Sequence, residues 1–174
     1  MPLSRTPLSH EHLRLGARMM AFAGWEMPRQ YSGIIAEHRA VRAKAGVFDV
    51  SHMGRLWVVG EAAEGLLQHV LTNNTSLLTP GAAQYTLLCQ EDGGILDDLV
   101  LFRLERERFL LVANAVNRER DKTWLERHNS PRADCQIEDS TFRSAMIALQ
   151  GPASMGLLQP LTDLQLDTFP RFSC

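Results

Sequence analysis

The 174-residue sequence predicts an α+β fold, an antiparallel sheet meander with flanking helices. Two observations carry the prediction: three strand-like segments in a row joined by short polar turns, and apolar residues at helical spacing on either side of them. Between Ser32 and Ala45, the residues Ile34, His38, Val41 and Ala45 recur at helical spacing. Glu37, Arg39 and Lys44 lie elsewhere on the wheel, and Gly46 is the natural stop. A short strand is expected from Arg55 to Val59. A second helix follows from Glu61 to Leu71, with Ala63, Leu66, Leu67, Val70 and Leu71 as its core stripe and Thr72 to Thr75 and Pro80 ending it. Next, Ala82 to Gln90 and Ile95 to Arg103 flank Glu91-Asp92-Gly93-Gly94, which supplies the positive-φ residues of a tight hairpin. Glu105 to Glu107 then turn the chain into Phe109 to Ala113. A parallel crossover needs about a dozen residues or more, so these three strands run antiparallel.

A helix of weaker periodicity is expected over Asn117 to His128. Short strands follow near Asp134 to Ile137 and Met146 to Gln150, and a helix opens at Gly151-Pro152, where proline suits a first turn. The segment His128 to Arg132 reads as the joint between subdomains, and no internal repeat or low-complexity tract interrupts the chain. After Leu161, the residues Leu164, Leu166 and Phe169 begin a new alternating pattern with nothing left to pair with, which reads as a chain cut short.

Composition narrows the function classes. Lys plus Arg total 18 against 20 for Asp plus Glu, a net charge of −2, so no polycationic surface is available to displace counterions from nucleic acid. Apolar runs such as Phe109 to Ala113 are far shorter than the roughly 20 residues of a membrane span. Cys89, Cys135 and Cys174 are odd in number and show no metal-type spacing, and the N-terminus carries no signal pattern, so the expectation is a reducing cytosol. His52 has no second histidine at ligand spacing, and the pair His10 and His12 has no further ligand beside it, so no metal is expected. Hydrolase-elbow, P-loop and dinucleotide signatures are missing as well.

The unusual feature is a pair of acids inside an apolar strand. Alternation puts Asp97 in a row with Ile95, Leu99 and Leu101, and Asp98 in a row with Leu96, Val100 and Phe102. A carboxylate in either row needs a partner, and desolvation would raise its pKa. The bland alternative is that one aspartate ties down the Gly-Gly turn through backbone hydrogen bonds. Asn114, after the strand Phe109 to Ala113, presents an amide to a ligand or caps the next helix, and taken alone it favours the cap. The stretch FAGWEMP from Phe22 reads as a rigid corner with Trp25 in the core.

Several stretches together resemble one family, the aminomethyltransferase or T-protein of the glycine cleavage system. They are RTPL at Arg5, LGARMMAFAGWEMPRQY from Leu15, EHRAVRAKAGVFDVSHMG from Glu37, QYTLLCQEDGGILDDLV from Gln84, VANAVNRERDKTW from Val112 and IALQGP from Ile147. The resemblance implies tetrahydrofolate as co-substrate and the lipoyl-bearing H-protein as carrier of an aminomethyl group. Ammonia is released and 5,10-methylenetetrahydrofolate is formed. It also implies that Asp98 is the catalytic acid, near the 10-nitrogen of the folate, and that Asn114, Met53, Tyr85 and Phe102 contact the folate. An Asp in a partly dry row would orient the folate amines and stabilise positive charge. Asp98→Ala is then expected to abolish transfer and Asp97→Ala to impair it much less. Relatives often carry tyrosine at the position of Phe102, whose hydroxyl is missing here.

The resemblance further implies an incomplete first folate-binding domain from residues 1–52 and 140–174, with 53–139 inserted as an α+β subdomain that carries the aspartate strand. Full-length members continue well beyond residue 174, so a truncated form with weak folate affinity and little activity alone is expected. Two folate-binding alternatives remain. One is a non-catalytic module of the iron–sulfur assembly or tRNA-modification type, and the other is the folate half of sarcosine- or dimethylglycine-oxidising enzymes. A structural fragment that dimerises through an open sheet edge is a third.

Overall fold

The structure, a computed structural model, describes residues 2–174. In chain order the N-terminal elements are β1 (Ser4–Arg5), α1 (Ser9–Arg14), β2 (Arg18–Phe22), β3 (Trp25–Gln30), α2 (Ile34–Ala43) and β4 (Gly46–Asp49). The middle of the chain forms β5 (Gly54–Val59), α3 (Ala63–Val70), β6 (Ala82–Cys89), β7 (Ile95–Glu105), β8 (Arg108–Ala113), α4 (Arg118–His128) and β9 (Gln136–Asp139). Last come β10 (Ile147–Gln150) and α5 (Ser154–Leu158). The chain divides into two compact units: residues up to His52 with Phe142–Phe169, and Met53–Thr141 with Pro170–Cys174.

The second unit is built on a five-stranded antiparallel sheet in the order β6-β7-β8-β5-β9. Its meander β6-β7-β8 is the one expected from the short turns. Between β6 and β7, Gly93 takes a positive φ of 87° and the Gly93 N–H donates to Gln90 O. It is Asp92 that ties this turn, accepting from Gly94 N at 2.9 Å, which leaves Asp97 and Asp98 for other work. Helices α3 and α4 cover one face of the sheet. There Leu56, Val58, Leu101, Phe109 and Leu111 from the strands meet Leu66, Leu67 and Val70 from α3 and Leu125 from α4, all buried. Each such side chain contributes roughly 1.5–3 kcal/mol by leaving water, so this layer holds the unit together.

One glycine is indispensable to the link from β5 to α3. Gly60 sits at φ +128° with its N–H on Glu107 O at 2.9 Å, and a Cβ there would stand 2.2 Å from the Asp134 carbonyl oxygen. Gly60→Ala therefore clashes with backbone as well as adopting a disfavoured φ, and we expect a loss of about 3 kcal/mol or more in urea-unfolding stability. A midpoint equal to the parent's would contradict that packing.

The first unit has a smaller sheet, β1-β3-β2, and a two-stranded β10-β4 ribbon. FAGWEMP is a hairpin here, not only a corner: Ala23 and Gly24 both take positive φ (51° and 80°), and Phe22 pairs with Trp25. Trp25 is buried as expected and stacks on Phe142 at 5.2 Å between centroids. Helix α2 forms where its periodicity predicts, but none of its residues is buried. Its stripe of Ile34, His38 and Val41 instead lines an open groove of about 470 Å³ together with Val47 and Phe48.

Two expectations about organisation are corrected. The segment His128 to Arg132 is no joint, because it lies inside the second unit. There Asn129 Nδ2 donates to Cys135 O and Ala133 N to Ser130 O, so it is a turn between α4 and β9. At the C-terminal side, Ser140, Thr141 and residues 170–174 also go with the second unit. Arg55 N donates to Thr141 Oγ1 at 3.0 Å, while Ala83 N donates to Phe172 O and Cys174 N to Gly81 O beside β6.

Candidate functional site

The sheet of the second unit has one face under α3 and α4 and one face open. On β7, alternation sends Asp97, Leu99 and Leu101 to the covered face and Asp98, Val100 and Phe102 to the open one. Register places Val100 opposite Tyr85 on β6 and Val112 on β8, and Phe102 opposite Ala83 and Leu110. The open face is thus a half-buried apolar surface with Asp98 at one end.

The expectation of a desolvated Asp98 is wrong: from Asp97 onward only one row of β7 is covered, and a register shift just before it puts Leu96 in the core and leaves Ile95 exposed. Asp98 is exposed, whereas Asp97 is 3% exposed. Asp98 is nevertheless held. Its Oδ2 accepts from Tyr85 Oη at 2.9 Å and its Oδ1 from Asn114 Nδ2 at 3.1 Å. The hydrogen bond to Asp98, followed by burial and the negative charges of Asp98 and Asp97, pushes the Tyr85 phenol above its ordinary pKa, so it stays a donor at neutral pH.

Asn114 does not cap α4 with its side chain. Its Nδ2 donates to Asp97 Oδ1 at 2.8 Å and to Asp98 O at 2.9 Å as well as to Asp98 Oδ1, and its backbone N donates to Asp97 Oδ2 at 3.0 Å. Asn117, the residue before α4, likewise spends its Nδ2 on Asp97 Oδ1 at 2.6 Å. Burial works to raise the Asp97 pKa, but donation from Asp121, Asn114 and Asn117 outweighs it and holds the carboxyl below its ordinary value. Tyr85, Asp98 and Asn114 therefore meet. Phe102 shares their face but lies four residues along β7, about 13 Å from Asp98. Met53 precedes Gly54, whose register partner is Ala113, so it stands at the Asn114 end of the sheet.

Sequence reasoning missed Asp121. It lies on α4, fully buried, and among the described residues no N–H or O–H group donates to either of its carboxyl oxygens. With both acids ionised nothing would join Asp121 to Asp97; with Asp121 protonated its O–H donates to Asp97. Burial first, then the hydrogen bond to Asp97 and the Asp97 charge, push the Asp121 pKa up to about 8, against a smaller opposing pull from Arg120. The folded state thus binds a proton that the unfolded chain releases near 3.8. The stabilisation from this group is complete below that value, declines as pH rises and is lost above about 8. Asp97 acts in the opposite sense at the acid end, since its pKa is lowered on folding. Thermal unfolding should therefore lose midpoint between about pH 6 and about pH 9 in the parent and much less in Asp121→Asn. Equal slopes would show that Asp121 is not the titrating group.

The first unit holds a second polar chain, centred on buried His12 and Thr6, that sequence reasoning did not find. His12 places Nε2 2.8 Å from Asp49 Oδ2 and Nδ1 2.8 Å from Tyr31 Oη, and Thr6 Oγ1 donates to the same Asp49 oxygen at 2.6 Å. Among the described residues no group of three or more His, Cys, Asp or Glu is arranged to hold a metal ion. None of their helices is long and apolar enough to cross a membrane.

Comparison with known proteins agrees with the resemblance read from the motifs. An aminomethyltransferase of Geobacillus kaustophilus is 47% identical over 171 residues, 98% of this chain and 46% of the relative. One from Bacteroides fragilis is also 47% identical, over 98% of this chain and 47% of its own length. The crystal structure of glycine cleavage system aminomethyltransferase T from Bartonella henselae superposes with a TM-score of 0.90 at 38% identity, covering 98% of this chain and 46% of that one. The chain spans about half the length of the curated relatives it matches. The model of the GCVT N-terminal domain matches residues 8–174, and with that the chain belongs to the GCVT N-terminal domain family.

Proposed function

We propose that this chain supplies the folate-contacting acid of a tetrahydrofolate-dependent aminomethyltransferase of the glycine cleavage system. Asp98 is the acid, Tyr85 and Asn114 orient it, and Met53 and Phe102 offer apolar contacts. The single observation that carries the reading is the Tyr85–Asp98–Asn114 hydrogen-bonded trio at the end of a half-buried apolar sheet face. An aromatic pterin or aminobenzoyl ring laid on Val100 and Phe102 would bury that face and take Asp98 out of water. The carboxylate then gains strength toward a folate amine and toward the positive charge that develops as the carbon–nitrogen bond reorganises. The aminomethyl group would arrive on the lipoyl arm of the H-protein, with release of ammonia and formation of 5,10-methylenetetrahydrofolate.

We also propose that the second unit is an insertion within a folate-binding domain to which the first unit belongs. The first unit is made of two stretches, one ending at His52 and the other Phe142–Phe169, on either side of Met53–Thr141 in the sequence, which supports this reading. With Tyr85 49% exposed, the 174 residues on their own leave a ligand half in solvent, so affinity is expected to be weak. The test is ammonia release from aminomethylated H-protein in the presence of tetrahydrofolate, with the Geobacillus kaustophilus relative alongside. The expected rate is lower by about a hundredfold or more, the scale of a misplaced substrate. Equal turnover would overturn the weak-affinity part, and failure to bind tetrahydrofolate at millimolar concentration would overturn the whole.

A further inference from the structure

We propose that Asp121 is a positioning residue, which through Asp97 locks the Asn114 amide, and with it the Asp98 carboxylate, in one orientation. The role rests on the reading of Asp98 as the folate acid, but the device itself stands on geometry. Asp97 is buried and has about four lone-pair positions to fill. Asn114 Nδ2, Asn114 N and Asn117 Nδ2 fill three of them at 2.8, 3.0 and 2.6 Å. Asp121 lies one turn after Asn117 on the same face of α4, is fully buried and has both carboxyl oxygens without a donor among the described residues, so it fills the fourth position by donating as a carboxylic acid.

The charged groups acting on Asp121 are Asp97 from β7 and Arg120 from its own helix. Arg120 Nε is 4.0 Å from Asp121 Oδ1, and the guanidinium donates to Leu96 O instead. Arg120 is therefore too remote to replace the proton. Asp97, anionic and fully engaged, has no freedom to rotate. It in turn decides which end of the Asn114 amide faces inward: the NH₂ end meets Asp97 Oδ1, Asp98 O and Asp98 Oδ1, whereas a flipped amide would set its oxygen against two carboxylates. The path from α4 to the open face is thus Asp121, Asp97, Asn114, Asp98, Tyr85.

The experiment uses the whole chain with carboxyl-¹³C aspartate. At neutral pH the infrared spectrum should contain a protonated-carboxyl C=O stretch that Asp121→Asn lacks. Asn can still donate from Nδ2, so Asp121→Asn should keep the Asn114 side-chain NH₂ signals slow to exchange with solvent. Asp121→Leu removes the donor, and those signals should exchange about tenfold faster or more. If Asp121→Leu does not fold, Asp121→Ala removes the same donor with less volume. Titration with tetrahydrofolate should give the parent's affinity in Asp121→Asn and about tenfold weaker affinity in Asp121→Leu. A band that persists in Asp121→Asn, or Asn114 signals unchanged in the variant lacking a donor, overturns the proposal. Absence of folate binding in every variant sinks the folate reading instead, while the infrared and amide signals still decide this one.

Discussion

Asp98→Ala is expected to remove tetrahydrofolate binding from this chain while costing less than about 1 kcal/mol of stability. The side chain is exposed, and its hydrogen-bond partners do not depend on it. Asn114 Nδ2 keeps Asp97 Oδ1 and Asp98 O, and the Tyr85 hydroxyl turns to water. A ligand amine on the open face loses its one anionic partner there, a charge-assisted bond worth roughly 1.5–3 kcal/mol, or about tenfold to a hundredfold in affinity. Starting from weak binding, that loss moves the complex beyond detection. Circular dichroism should overlay the parent's, and a variant that binds as the parent does would remove Asp98 from the site.

Asp97→Ala should give the reverse balance. Its removal strands Asn114 N and Asn117 Nδ2 at a half-buried position, while Asn114 Nδ2 keeps Asp98 O and Asp98 Oδ1, and the loss is partly offset because Asp121 no longer faces a second carboxyl. We expect a loss of about 2–3 kcal/mol in chemical unfolding, with the site disordered as a consequence. The resemblance implies that Asp97→Ala impairs transfer much less than Asp98→Ala. For stability the structure inverts that order, because Asp97 is the buried acid. A parent-like denaturation curve for Asp97→Ala would contradict the hydrogen-bond network around Asp97.

The two aspartates show where sequence reading stops. Alternation correctly put Asp97 and Asp98 on opposite faces. It could not say which face the helices cover, since Leu99 and Leu101 on one side and Val100 and Phe102 on the other are equally apolar. The meander itself was legible, because three alternating runs with turns of a few residues leave no room for a crossover. The β1-β3-β2 sheet was not: β2 reads RMMAF and is largely exposed, and in β3 the alternation of Trp25 and Met27 is cut short by Pro28.

Asp121 was hidden for a different reason. In the highly charged α4 it looks like one more acid near a helix N-terminus, where the macrodipole favours it, and only packing against β7 reveals a buried acid pair. The subdomain joint failed similarly. Pro131 and the polar residues around it mark a turn, while the division after Thr141 has no proline or glycine beside it and the one after His52 has only Gly54, the first residue of β5.

The central claim is that the Tyr85–Asp98–Asn114 trio grips a reduced folate. The direct measurement is a ¹⁵N-resolved NMR titration of the parent and of Asp98→Asn with tetrahydrofolate, a method suited to millimolar affinities. In the parent, saturable shifts should appear at the Asn114 side-chain amide and the backbone amides of Tyr85 and Val100, and Asp98→Asn should abolish them. Shifts confined to the α2 groove, or the same shifts in both proteins, would contradict the claim.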